Sequence, residues 1–144
     1  MGLYRRRHWI QHLCRPAPPL AAWPGEGGGT IAPLPASWQC DLASEELRWS
    51  SGVFDLFGVA RGAPIDRRST LEFYADDSRK TLERLRAQAL TTCGSFTFEA
   101  QIYRGDGLSR WMRVSADVQK SNGRAAVLYG TKQDITAEMA ARGR

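Results

Sequence analysis

The 144-residue sequence has two histidines, His8 and His12, and none after them. It has three cysteines, Cys14, Cys40 and Cys93, with no CxxC pair, and its only proline beyond residue 35 is Pro64. No apolar run approaches the roughly 18 residues needed to cross a bilayer, and no apolar segment follows the early arginines as a secretory signal would require. Each absence excludes something. The cysteines, odd in number and widely spaced, read as reduced structural thiols rather than zinc or redox ligands. Gly27-Gly28-Gly29 has no following Lys-Ser/Thr and no flanking strand and helix, so it is not a phosphate loop. A cytoplasmic protein is expected.

What is present divides the chain unequally. Residues 1–37 hold six of the seven prolines, and four arginines against one glutamate, a net charge of +3. A Pro/Gly-rich composition resists helix and sheet, so this basic leader is expected to be a flexible tether. Its opening, YRRRHWIQHLCR, leaves three readings open: a disordered or wrongly assigned start, a membrane-surface or partner-binding arm, and a nucleic-acid arm. Trp9 and Leu13 stand four apart, as do His8 and His12, but two histidines without a third ligand make no metal site. From residue 38 onward 16 basic residues stand against 14 acidic ones, so the rest of the chain offers no electrostatic case for binding nucleic acid.

Beyond residue 38 the patterning tightens. In WQCDL, Trp38, Cys40 and Leu42 alternate with polar residues, and Leu47 and Trp49 alternate in ELRWS, predicting two half-buried strands joined by a turn over 43–45. Ser50 or Ser51 is placed to cap a short helix carrying Val53, Phe54 and Phe57 and stopped by Gly58. A loop is expected over 59–68, then helix from Ser69 through STLEFY, and a longer helix in ADDSRKTLERLRAQALTTCG. There Asp76 or Asp77 should cap the start, and Leu82, Leu85 and Ala89 should form the buried stripe. Arg79 and Arg86 should pair with Glu83 along the helix, and Gly94 should supply the left-handed stop. SFTFEAQIY places Phe96, Phe98, Ala100 and Ile102 on one face; after Gly105-Asp106-Gly107, Met112, Val114, Ala116 and Val118 alternate with Trp111, Arg113, Ser115 and Asp117. Asn122-Gly123 predicts a type I′ hairpin into a last strand, AAVLYGTKQDI. The expected class is α+β, a five-stranded antiparallel sheet with helices packed on one face.

This order of elements, from about Trp38 to Glu138, resembles a PAS domain with its C-terminal PAC half, of the PAS fold-3 kind found in bacterial sensor histidine kinases and cyclic-dinucleotide enzymes. The residues that carry the resemblance are the tryptophan of WQCDL, then WSSGVFDLFG, YADDSRKTLERL, FTFEAQIYRGDGLSRWMRV and GTKQDIT, in the family's order. Two positions depart from it. Tyr74-Ala75 stands where the family usually has His-Pro, and Tyr103 stands near a usual arginine, with Arg104 one place later. On this reading residues 38–136 are the PAS/PAC domain and 137–144 the start of a signalling helix.

The resemblance implies a sensory or protein-interaction module rather than an enzyme. It would form a homodimer or dock on a signalling partner, a kinase or cyclase, and act in trans through its sheet and its Asp-Ile-Thr exit. The alternative is the input fragment of a histidine kinase or cyclic-dinucleotide enzyme whose catalytic part is missing. It further implies that Asp134, Ile135 and Thr136 end the last strand and cap the outgoing helix, with Arg113 on the neighbouring strand as the partner of Asp134. No cofactor is identified. A haem-binding relative commonly takes a histidine from the long helix, which is absent, and a photoactive flavin relative needs a cysteine in an N-C-R-like motif, which neither Cys40 nor Cys93 supplies. What remains is an apolar chamber formed by Phe54, Phe57, Phe73, Leu82, Leu85, Phe98, Ile102, Met112 and Val114. It reads either as a filled core or as a pocket for a small apolar molecule, with no inward polar group standing out as an anchor.

Overall fold

The alternating segments form five strands, β1 (Ala36–Asp41), β2 (Leu47–Trp49), β3 (Phe96–Tyr103), β4 (Ser109–Ser121) and β5 (Arg124–Asp134). The structure, a computed structural model, describes residues 33–143. The leader's Pro/Gly tract, Trp9 and Leu13, His8 and His12, and Cys14 therefore lie outside the described residues. All strand pairs are antiparallel and the sheet order is β2-β1-β5-β4-β3. Four helices accompany the sheet among the described residues: α1 (Ser51–Phe57), α2 (Arg67–Leu71), α3 (Asp76–Thr92) and α4 (Thr136–Arg142). None of them is long and apolar enough to cross a membrane.

The β4–β5 hairpin decides which side chains reach the interior. Asn122 and Gly123 both have positive φ, 53° and 77°, as a type I′ turn requires. Ser121 pairs with Arg124 and Lys120 with Ala125, but Gln119 pairs with Val127, so Ala126 is left over as a bulge. Beyond the bulge Val118 faces Leu128, Ala116 faces Gly130, Val114 faces Lys132 and Met112 faces Asp134. One extra residue reverses the parity of a strand, so Leu128, Gly130, Lys132 and Asp134 share the inner face with Met112 and Val114. Gly130 is required where it stands: a Cβ there would lie 1.7 Å from the carbonyl oxygen of Ser115.

The inner face supplies most of the core. Val53, Phe57, Ala100, Ile102, Met112, Val114 and Val118 have no exposed surface. Phe57 stacks on Trp49 at 4.7 Å and meets Phe73 edge-on at 5.5 Å. Gly58 ends α1 in the left-handed region, as its position suggested. The outer edge of β3 is covered by the chain entering α3: Tyr103 N donates to Phe73 O at 2.7 Å, Ala75 N to Gln101 O at 2.9 Å, and Gln101 N to Ser78 Oγ at 2.8 Å.

The helices correct several expectations. α2 begins at Arg67, inside the segment expected to be loop, because Asp66 caps it by accepting a hydrogen bond from Ser69 N at 2.9 Å. Ala75 rather than an aspartate precedes α3, and Asp76 and Asp77 sit in its first turn, where their charge complements the helix dipole. The left-handed residue that ends α3 is Cys93, with φ 54°, one place before Gly94. Glu83 does not pair with Arg79 or Arg86 along α3 as its spacing suggested. Glu83 binds Arg67 of α2, and Arg86 lies 3.9 Å from Glu45 in the β1–β2 turn, because these are the groups its inner side faces. Arg79 pairs with Asp76 at 3.1 Å.

Candidate functional site

Lys132 points inward between the sheet and the helices, and its environment is the least expected feature of the molecule. It is 6% exposed. Its Nζ donates a hydrogen bond to Tyr74 Oη at 2.9 Å and lies 4.8 Å from the centre of the Trp38 ring, 5.7 Å from Tyr74 and 5.9 Å from Phe57. No carboxylate among the described residues pairs with it. Burial holds the ammonium down at about 7, because the charged form loses its water, and the same burial pushes the Tyr74 phenol upward. Tyr74, the first residue of the Tyr74-Ala75 pair singled out in the sequence, is the hydrogen-bond partner of the buried amine.

Beside Lys132 is a cavity of about 50 Å³, partly open to solvent. Its apolar walls are Trp38, Leu47, Trp49, Leu71, Leu82, Val114 and Leu128, with Cys40. Its polar groups are Lys132, Arg67, Arg86, Thr70 and Tyr74. Cys40 is buried, and loss of water raises its thiol pKa, while the nearby Arg86 and Arg67 pull it the other way. Among the described residues no group of three histidines, cysteines or carboxylates is placed to hold a metal ion.

Of the chamber residues expected from sequence, only Leu82 and Val114 line this cavity. Phe57, Ile102 and Met112 are fully buried in packed core, Phe54 is nearly so, and Phe73, Leu85 and Phe98 are half-buried away from the cavity. The cavity lies nearer β1, β2 and β5 than the aromatic-rich alternation suggested. The expectation that no inward polar group would stand out is also overturned, by Lys132. Its signal was present in the sequence as strand parity, but only if the bulge at Ala126 is counted.

Two residues beyond Lys132, at the end of β5, the chain leaves the sheet through Asp134, Ile135 and Thr136. Asp134 Oδ1 accepts a hydrogen bond from Thr136 N at 2.9 Å, and Oδ2 lies 3.9 Å from Arg110 Nε. Thr136 Oγ1 accepts from Trp111 N at 2.9 Å, and Ile135 N donates to Trp111 O at 2.9 Å, so the first turn of α4 is fastened to β4. Ile135 is the residue before the helix, and no side chain caps it in the usual way. Arg113 is not the partner of Asp134. Side chains alternate along β4, so Arg110 and Met112 share the face of Asp134, whereas Arg113 emerges on the other.

There Arg113 joins a four-membered ionic network. Its Nη2 lies 2.6 Å from Glu138 Oε2 on α4 and 3.3 Å from Glu99 Oε2 on β3. Arg142 closes the ring, at 2.7 Å from Glu99 Oε2 and 2.8 Å from Glu138 Oε2. The hydrogen bonds from Arg142 and then Arg113 hold Glu99 below the usual carboxylate range, and those from Arg113 and then Arg142 do the same for Glu138. The outgoing helix is thereby tied to two strands of the sheet on its outer face.

No protein-family model and no curated protein matches the sequence. Solved structures do match. The N-terminal domain of a diguanylate cyclase with PAS/PAC sensor from Marinobacter aquaeolei superposes with a TM-score of 0.67 at 14% identity, covering 74% of this chain and 99% of that one. The chain has the PAS fold. A sensory box histidine kinase/response regulator from Burkholderia thailandensis E264 matches with a TM-score of 0.65 at 15% identity, over 76% of this chain and 82% of that one. The PAS domain of a protein from Colwellia psychrerythraea gives 0.60 at 18% identity, over 72% and 87%. In these terms the cavity lies on the helix-covered side of the PAS sheet, and the ionic network ties α4 to the other side.

Proposed function

We propose that this PAS domain is a sensory module that reports the state of its sheet to a signalling partner, a kinase or cyclase, through the Asp134-Ile135-Thr136 exit. The observation that carries the reading is the fastening of α4. Thr136 is bonded to the backbone of β4 and Glu138 to Arg113, so a shift of β4 against β3 or β5 changes the footing of the helix. The similarity to the sensor domains of a diguanylate cyclase and a histidine kinase supports the choice of partner class. The reading is tested by capturing partners from the native host with the wild-type protein and with Arg113→Ala. Capture of a kinase or cyclase that is weakened by the substitution is expected. A strictly monomeric protein that captures neither would overturn it. The same similarities favour a second reading, in which the domain is the input part of such an enzyme; a downstream reading frame encoding a phospho-accepting helix or a cyclase domain decides between them.

A further inference from the structure

We propose that the cavity beside Lys132 is a binding site for a small organic monocarboxylate, its charged end against Lys132, Arg67 and Arg86 and its short apolar body against the leucines of the wall. The first argument is the hydrogen-bonding character of the lining. A lysine and two arginines offer donors and no acceptor, and no aspartate or glutamate lines the cavity. Trp38, also in the wall, has a buried indole N–H with no acceptor among the described residues. Tyr74 Oη accepts from Lys132 Nζ, which leaves the phenolic proton to be donated. A ligand that satisfies such a lining must bring acceptors of its own, and a lining with three basic side chains and no acid favours an anion.

Charge and size narrow the class. Arg67 is paired with Glu83 and Arg86 stands near Glu45, and these two acids are outside the cavity with side chains 42% and 58% exposed. Lys132 is then the cation left without a carboxylate, which matches a single negative charge rather than a phosphate dianion. A water needs about 10–15 Å³ of such space, so about 50 Å³ holds about three to five waters, and, since bonded atoms sit closer together than separate waters, a ligand of about four to six heavy atoms. Leu47, Leu71, Leu82 and Leu128 would cover a short hydrocarbon chain or edge and leave nothing for a polar tail to bond. The depressed basicity of Lys132 agrees with an ammonium that lacks its counter-ion, since an arriving carboxylate would restore the charge.

This names the ligand class for the sensory reading above and rests on that reading only for its consequence, because binding is measurable without a partner. The experiment is calorimetric titration of the full chain, below the Lys132 value of about 7, with acetate, propionate and butyrate. Butyramide, butylamine and inorganic phosphate are the controls. Saturable binding of at least one carboxylate is expected, at least tenfold tighter than butyramide or phosphate, and at least tenfold weaker in Lys132→Met and in Arg86→Gln. If either variant fails to show cooperative unfolding, the other decides. Equal binding of butyramide, preference for phosphate, saturation by none of the three acids, or unchanged affinity in a folded variant would overturn the proposal. Hydrogen exchange over 136–142 with and without the bound acid keeps the two claims apart. Binding with no change there counts against the sensory reading alone, whereas no binding in a protein whose partner capture depends on Arg113 counts against this proposal alone.

Discussion

Replacing Lys132 with methionine should make the protein more stable at neutral pH and less stable at high pH. The folded state holds the amine at about 7 against 10.5 in the open chain, a difference worth roughly 5 kcal/mol at about 1.4 kcal/mol per unit. Lysine is a base with a depressed value, so between pH 7 and 10.5 the unfolded chain binds a proton that the folded chain does not. Wild-type stability therefore rises with pH across that window, and the contribution is at its least favourable below it. Methionine has no proton to lose and fills a similar volume, but it leaves the Tyr74 hydroxyl without its partner, which costs roughly 1–3 kcal/mol. The variant should be more stable by roughly 2–4 kcal/mol at pH 7, equal near pH 9 and less stable beyond. Cys40 and Tyr74, the other titrating groups at the cavity, and the arginines Arg67 and Arg86 are present in both proteins, so they largely cancel in the difference. Urea unfolding of the two proteins from about pH 6 to about pH 10 reads this directly. A variant that is less stable at pH 7, or a difference that does not change with pH, would refute the reasoning.

Three other regions give sharp expectations. Gly130→Ala places a methyl group against Ser115 O and should cost more than about 3 kcal/mol, read as a large fall in urea midpoint or as failure to fold. Arg113→Ala should change global stability by less than about 1 kcal/mol, since its pairs are solvent-exposed, while hydrogen exchange of α4 speeds up; unchanged exchange would mean that the network does not hold the helix. The acid limb follows from the same groups. Glu99 and Glu138 sit below 4.5 in the fold, so their contribution is complete above pH 4.5 and is lost as pH falls through their lowered values. NMR signals of α4 should therefore shift before the core unfolds on acidification. Asp134→Ala should leave the urea midpoint within about 1 kcal/mol and expose the Thr136 amide to faster exchange, with weaker partner output.

The fold was legible because each level of the sequence agreed with the next. Alternation in SFTFEAQIY and in Met112 to Val118 set the inner face, and Asn122-Gly123 fixed the hairpin. The chamber was much less legible. Counting alternation back from the turn without a bulge places Thr131 inside and Lys132 in solvent, the natural location for a lysine. The extra residue at Ala126 inverts that, and nothing in Arg124-Ala125-Ala126-Val127 announces it, since two alanines fit either face. The pairing of Arg113 failed for a related reason. Resemblance supplied two oppositely charged residues on neighbouring strands, but parity puts them on opposite faces of the sheet. The helix charges were misassigned because spacing along α3 cannot reveal that Arg67 and Glu45 wait across the interface.

The inverted parity also connects the two halves of the candidate site. Lys132 and Asp134 are two places apart on one strand and on the same face, so their Cα atoms are separated by about 7 Å at the usual strand rise. Between them and the turn, Gly130 packs its backbone against β4 with no space for adjustment, which makes the strand stiff at that point. A carboxylate drawing Lys132 from Tyr74 toward Arg67 and Arg86 would therefore be accommodated on the other side of Lys132, toward Asp134 and the Trp111–Thr136 bonds. On that proposal the residues from Thr131 to Asp134 would take up the displacement, since they lie between the close contact at Gly130 and the bonds that hold α4 to β4. Under the proposed sensory reading the helix would then respond without touching the ligand, provided that the segment beyond Gly130 shifts against β4.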